Sequence, residues 1–499
     1  MIKQAFHAYT TAVEAKFEAN LRPLAKRDRL ATLLNSEFHL RVLVEQLEKG
    51  SEFSALLEAT RSAFRSDDWH SARGATWWRD PICHFFCRTG YYTNKFAGSD
   101  TPCDLFEQYV AAFQRRSMQT TYLAPLEFVQ FPTRKLELKV SGFEIRKFDR
   151  KELDAKVRND VNRVFYPHAV VDTSILQEYW FIVVQNLGKA PRLRSPPLTI
   201  SKEARGYVSP EYTRLPPAIE RVLERLVLFD WLEEPQKEGD KRKREQQRVR
   251  WPYGLPFGFN IPFVIRVDDN DLGKPRITPD CSKLLTTPWG DKGEDEIPIV
   301  LFNLNETRVA GFQECIQHAD ESLGHLKLET KDTHWPFLKV AIDNLIKAFF
   351  ADGLEQLLWH ITALEALLGE PGPGVTASLA RRSAAILSTT EKERNECRKE
   401  FRELYDLRSA LVHGHQFKED VHRERLFEAR MMVLRVTIWF VHYLGKIAAR
   451  INEGSWKNKV PTQKDFLTLL DRSEADRERL SALLSNLPYG FPSAPDWSP

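Results

Sequence analysis

Tyr405-Asp406-Leu407-Arg408-Ser409-Ala410-Leu411-Val412-His413-Gly414 closes the most regular apolar period in this 499-residue chain. Leu404, Leu407 and Leu411 face one way, and Tyr405, Arg408 and Val412 lie on the adjoining stripe. A glycine directly after His413 is a helix stop signal, so the spacing predicts a helix from Glu391 to Val412.

The same period extends on both sides. Phe337, Val340, Ala341, Leu345 and Phe349 follow Pro336, and a second set runs through Leu354, Leu357, Leu358, Ile361, Leu364 and Leu368. Glu370-Pro371-Gly372-Pro373-Gly374 breaks the chain before a third helix, Val375 to Leu387. A fifth, Asp420 to Ile451, is apolar nearly all round between Met431 and Leu444, so it is expected to be buried on more than one side. Short connections between such helices predict an antiparallel bundle over 335–451. Residues 452–499 are expected to hold one more helix, about Thr462 to Leu487, and a Pro-rich tail.

Upstream the texture differs. Residues 1–125 read as mostly helical, from Ala12, Val13, Phe17, Leu21 and Leu24, and from Leu30, Leu33, Leu34, Phe38 and Val42. Trp69, Trp77, Trp78, Phe85, Phe86, Tyr91 and Tyr92 form an aromatic patch that reads as packed core before it reads as a base-stacking platform. Residues 126–334 read as a mixed α+β domain with a possible sensing or regulatory role. Strands are predicted at Leu136–Val140, Phe181–Val184 and Phe263–Val267, and a helix at Ile219–Leu232. Lys241-Arg242-Lys243-Arg244 reads as a solvated loop first and a nucleic-acid contact second. The expected fold class is α+β, mostly α.

Seventy-two basic residues against 69 acidic give a charge of +3, so any nucleic-acid contact needs local clustering of Arg and Lys. Six scattered cysteines make no disulfide framework. Cys83-His84-Phe85-Phe86-Cys87 with Cys103 is a weak zinc pattern beside the plainer reading of buried apolar thiols. The N-terminus lacks the apolar run of a signal peptide, and no stretch approaches the roughly 18 apolar residues of a membrane span. A soluble, cytoplasmic protein without metal or organic cofactor is expected.

The pattern Arg-x4-His occurs four times, at Arg65/His70, Arg79/His84, Arg163/His168 and Arg408/His413. Spacing alone does not choose among them. Arg65/His70 spans a polar turn with Asp67 and Asp68. Asp80-Pro81 and Pro167 are expected to break the next two. Only Arg408/His413 closes a periodic helix. Five residues on a regular helix are about 140° apart, so the pair meets only if Gly414 frees His413 at the terminus. The negative end of the helix favours a protonated imidazole, which suits a general acid. A guanidinium can hold the phosphoryl oxygens with two parallel hydrogen bonds. The plainer reading has Arg408 and His413 pairing with carboxylates and capping the helix. Arg435 and His442 read as bundle packing.

These ten residues resemble the HEPN superfamily, and more closely its Apea-like branch. The likeness extends to Thr362-Ala363-Leu364-Glu365-Ala366-Leu367-Leu368 and to Leu379-Ala380-Arg381-Arg382-Ser383-Ala384-Ala385-Ile386-Leu387, in family order over roughly 335–450. The resemblance implies a helical bundle that dimerises, bringing two motifs into one cleft. It also implies metal-independent RNA cleavage by Arg408 and His413. The 2′-OH would attack its own phosphate, leaving a 2′,3′-cyclic phosphate and a 5′-OH. Glu365 is expected to be a structural partner for an arginine, with Arg408 a candidate. Tyr405 and Ser409 are auxiliary candidates, Ser409 first as a helix-face hydroxyl. Some HEPN toxins carry a tyrosine two places after the histidine. Here that place is His415, a candidate second proton carrier. The expected function is an endoribonuclease effector of antiphage or toxin type, whose N-terminal 330 residues would sense a trigger or restrain the nuclease. The alternative is a non-catalytic module binding RNA, a nucleotide or a protein. A separate enzyme in the N-terminal part finds no motif.

Overall fold

A computed structural model describes residues 1–21, 37–64, 76–96, 103–115, 117–127, 129–138, 140, 142–165, 170–189, 215–231, 259–261, 263–269, 271–272, 276–278, 302–304, 306–330, 333–351, 353–370, 372, 374–388, 390–413, 422–456 and 459–472. In chain order the first elements are α1 (Ile2–Leu21), α2 (Glu37–Leu47), α3 (Ser51–Phe64), α4 (Thr76–Arg88), α5 (Tyr91–Phe96) and α6 (Leu105–Gln114). Next come β1 (Ser117–Leu126), β2 (Val129–Gln130), β3 (Lys135–Leu136), β4 (Phe143–Lys147), α7 (Arg150–Val157), α8 (Asn159–Phe165), α9 (Thr173–Leu176) and β5 (Trp180–Lys189). Then follow α10 (Pro217–Leu226), β6 (Val264–Asp268), β7 (Arg276–Thr278), β8 (Phe302–Asn303) and α11 (Glu306–Leu326). The last are α12 (Pro336–Phe350), α13 (Gly353–Leu368), α14 (Val375–Leu387), α15 (Glu391–Val412), α16 (His422–Asn452) and α17 (Gln463–Leu470). The class is α+β, mostly α. Two compact units cut across the segments read from the sequence.

The first unit gathers 1–126, 142–219 and 261–291. Its helices close on an aromatic core of Phe6, Tyr9, Phe53, Phe85, Phe86, Tyr92 and Tyr109. Polar tips inside are satisfied: Tyr9 and Tyr92 share a 2.5 Å hydrogen bond, and Tyr109 meets Thr60 at 2.7 Å. Trp78, Phe85, Phe86, Tyr91 and Tyr92 are buried, so this part of the aromatic patch is core. α4 continues through Pro81. The expected break does not occur: Ile82, Phe85 and Phe86 bury one face, and that packing outweighs the one hydrogen bond a proline removes. Arg163 likewise lies on a helix, α8.

The strands of this unit line up in the order β4-β5-β1-β6-β7, all antiparallel. β1 corrects the expectation of helix up to 125. It pairs with β5 from Ser117↔Lys189 to Leu126↔Trp180, and Thr120, Thr121 and Tyr122 are strand formers. Pro125 lies beyond the span that β6 pairs, Thr120–Leu123, where a missing N–H costs no bond on that side. Phe181, Val183, Leu123 and Ile265 pack with Phe148, Leu153, Val157 and Leu176. α7 starts at a capping box in which Asp149 and Glu152 each bond the other's amide.

The second unit gathers 127–141, 220–260 and 292–499. α16 is its axis, packed by α11, α12, α13 and α14, while α15 lies against α14. Phe440 and Tyr443 of α16 meet Phe466 of α17, and Trp439 packs against both Phe440 and Tyr443. By length and composition Arg425–Asn452 could cross a membrane, but 78% of its most apolar window is buried here, as the core of the bundle. α14 and α15 keep the bounds read from the sequence, and Gly374 enters α14 with φ +79°, a value glycine adopts without cost. α10 ends at Leu226 rather than 232. The Trp231 indole takes the Leu226 carbonyl at 2.9 Å, and Arg430 takes that of Val227 at 3.0 Å, so side chains finish the helix. The strand expected at 136–140 is only β3. α17 covers 463–470 of the expected 462–487, and residues 473–499 lie outside the described residues.

Candidate functional site

α15 starts at a reciprocal cap: Thr390 N donates to Glu393 at 3.0 Å, and Glu393 N donates to the Thr390 hydroxyl at 3.2 Å. Arg394, Cys397, Phe401 and Leu404 are buried, and they sit on one helical stripe. Beyond Leu404 the burial stops. Leu407, Arg408, Ser409 and Ala410 are half-exposed, and Val412 and His413 are exposed. The motif therefore rides a helix end that has left the core.

Two helices meet at Arg408, its own α15 and α13. Glu365 of α13 is half-buried, beside rather than within the buried stripe of Ile361, Leu364 and Leu368. Its Oε1 accepts from the Tyr405 hydroxyl at 3.2 Å and stands 3.8 Å from Arg408 Nη2. The second distance is longer than a charge-assisted hydrogen bond. Glu365 attracts the guanidinium without occupying its donors. The Arg408 guanidinium carbon lies 5.5 Å from the Tyr405 ring centre, in cation–π reach. Phe401 stacks on the same ring at 6.1 Å. Burial pushes the Tyr405 hydroxyl above its ordinary pKa, and the Glu365 charge and hydrogen bond add to this. Arg408 and Thr376 of α14 pull the other way. The hydroxyl thus stays protonated and keeps donating to Glu365.

His413 is placed differently. Its amide donates to the Ser409 carbonyl at 3.1 Å, the i−4 bond of a continuing helix. Arg408 and His413 therefore leave the axis about 140° apart. The structure brings Arg408, Glu365 and Tyr405 together, and it carries His413 to another side of the same helix end. Ser409 serves through its backbone carbonyl. Gly414 and His415 lie outside the described residues. Thr376 had no signal in the sequence beyond its place two residues after the break at Gly374.

The rival pairs fare differently. Arg79 is bound to Glu48 at 3.0 Å, while buried His84 places Nδ1 3.1 Å from the Leu272 carbonyl, so the two serve separate structural contacts. Arg65, His70 and His168 lie outside the described residues. Burial pushes the Cys83 thiol up, and Cys103 is exposed. Among the described residues no group of three or more His, Cys, Asp or Glu could hold a metal ion.

No family model, curated protein or solved structure matches this chain.

Proposed function

We propose that the helices around α15 form a metal-independent endoribonuclease of HEPN type. One observation carries the reading: Arg408 is steered by Glu365 and Tyr405, and among the described residues no hydrogen bond occupies its donors, on a helix end that exposes His413. Arg408 would hold the phosphoryl oxygens as negative charge develops on them. His413 would move the proton to the leaving 5′ oxygen. Because the two diverge around α15, a complete site takes the helix end of a second protomer. The expected substrate is RNA, attacked by its own 2′-OH, and DNA lacks that nucleophile. A regulated antiphage or toxin-like effector is the matching biological role, by analogy alone.

The divergence of Arg408 and His413 also favours a second reading, a non-catalytic module that binds RNA, a nucleotide or a protein. Cleavage of labelled RNA in EDTA separates the two, comparing wild type with Arg408→Ala and His413→Ala. The nuclease reading expects wild-type products ending in a 2′,3′-cyclic phosphate and loss of about 100-fold or more in each variant. Equal cleavage by all three proteins overturns it.

A further inference from the structure

The end of α13, where Glu365 sits, is finished by side chains from far along the chain. A helix leaves its last four carbonyls without intrahelical donors. Here Gly369 N serves Glu365 at 2.8 Å. The amide of Gln463 serves both Ala366 at 2.7 Å and Leu367 at 3.1 Å. Arg382 Nη1 serves Leu368 at 2.6 Å. All four carbonyls are occupied, two of them by one glutamine at the start of α17.

That glutamine is itself fixed at both sides. Before it, the Pro461 carbonyl accepts from the buried Trp335 indole at 3.0 Å. After it, Phe466, Leu467, Leu469 and Leu470 are buried. Asp471 then takes Arg382 through Nε at 3.0 Å and Nη2 at 2.6 Å, and Arg381 through Nη2 at 2.7 Å. Arg382 is thus the common member: it holds the α13 terminus with one nitrogen and the end of α17 with two others.

We propose that the segment from Pro461 to Asp471 is a clamp on the last turn of α13, and that Gln463 is a positioning residue for Glu365 and, through it, for Arg408. Gly369 shows how little slack this turn has. A Cβ added there would sit 2.4 Å from the Glu365 carbonyl oxygen, so even one methyl forces the backbone of this turn to shift. The guanidinium stands 3.8 Å from Glu365 and 5.5 Å from the Tyr405 ring centre, and among the described residues no hydrogen bond ties it to that carboxylate, so it responds to such a shift. The consequence for cleavage rests on the nuclease reading, whereas the positioning of Glu365 does not.

The test uses the full chain with 13Cζ-labelled tyrosine, the Tyr405 signal being assigned by its loss in Tyr405→Phe. Gln463→Leu keeps the volume and removes the donors, and Gln463→Lys returns a donor. Gly369→Ala displaces Glu365 with the clamp intact. The expected result is a lowered Tyr405 titration midpoint in Gln463→Leu and Gly369→Ala, and recovery in Gln463→Lys. Cleavage should follow, with kcat down about tenfold and KM nearly unchanged, as for a small misplacement of a group acting in the transition state. An unshifted Tyr405 in folded Gln463→Leu overturns the clamp, whatever Gly369→Ala does and even if wild type cleaves RNA. A Tyr405 shifted in Gln463→Leu upholds the clamp even if wild type cleaves nothing, and the nuclease reading then falls alone.

Discussion

Replacing Arg382 by methionine removes a side chain of similar length and leaves its partners in place. Only 3% of that side chain is exposed, and it bonds the Leu368 carbonyl, both oxygens of Asp471 and Oε2 of Glu370. Stranding a buried carbonyl costs about 1–3 kcal/mol. Breaking a buried ion pair from one side costs about 3–5 kcal/mol. The lower part of that range applies, because Asp471 keeps Arg381 and Glu370, 45% exposed, can turn to water. With the low ends of the two ranges summed, the expected loss is about 4 kcal/mol, a large share of the 5–15 kcal/mol typical of a whole fold. In urea, with a slope of about 3 kcal/mol/M, the midpoint drops by about 1 M, read by far-UV circular dichroism. Exchange of the Gly369 amide should accelerate as well, since its bond to Glu365 closes the same turn. A double-mutant cycle locates the cause: adding Asp471→Asn to Arg382→Met should cost less than the sum of the two single changes. A loss under about 1 kcal/mol for Arg382→Met, or strict additivity in the cycle, refutes the reasoning.

Other outcomes follow from the same structure. Glu365→Gln keeps an acceptor for Tyr405 and removes the charge beside Arg408; RNA should bind about two- to fivefold tighter and turn over more slowly, and unchanged KM and kcat would contradict the steering role. Stability should fall on acidification. Burial holds His442 down at about 4, with Lys446 and His318 adding to it, and holds His360 well below its ordinary value, with Arg430 adding to it. The unfolded chain binds those protons from about pH 6.5 downward while the fold refuses them. The His442 contribution is therefore lost between about 6.5 and 4, and a urea midpoint that stays flat over that window would count against it. Gly445→Ala places a Cβ 2.7 Å from Ser322 Cβ, where α16 crosses α11, and should cost about 1–3 kcal/mol by thermal unfolding. Iodoacetamide should label exposed Cys103 in the native protein and reach Cys315 and Cys397 only on unfolding, since burial pushes those thiols up to about 12 and about 11; mass mapping decides.

The bundle helices were legible because period and punctuation agree. Val375–Leu387 sits between Gly374 and Ser388, and Glu391–Val412 opens on a Thr390–Glu393 box. α11 carried the same signal: Val309, Phe312, Ile316, Ala319, Leu323 and Leu326 are spaced by three and four, yet reading 126–334 as one mixed domain passed over it. β1 was harder. It has neighbours on both sides, its last four residues are all buried, and its buried Thr120 breaks the apolar alternation. At the candidate site, the nearness of Glu365 to Arg408 could be expected from a carboxylate beside an apolar stripe. The clamp could not. Gln463 lies 97 residues from Ala366 and Asp471 lies 89 from Arg382, and no local period records such pairings.

The discontinuity of the second unit governs how the bundle can be cut out. A fragment beginning at 335 omits α10 and α11. It thereby removes the Val227 carbonyl from the fully buried Arg430 and the Glu224 carboxylate from Lys339. It also strips Phe229, Trp231 and Phe312, which pack edge-to-face and tilted against one another, from the same unit. What remains is a helical piece with a wet guanidinium and an unroofed apolar wall, a recipe for insoluble protein. Any fragment meant to report on Arg408 and His413 must carry the 220–231 segment and α11 along with the helices that bear them.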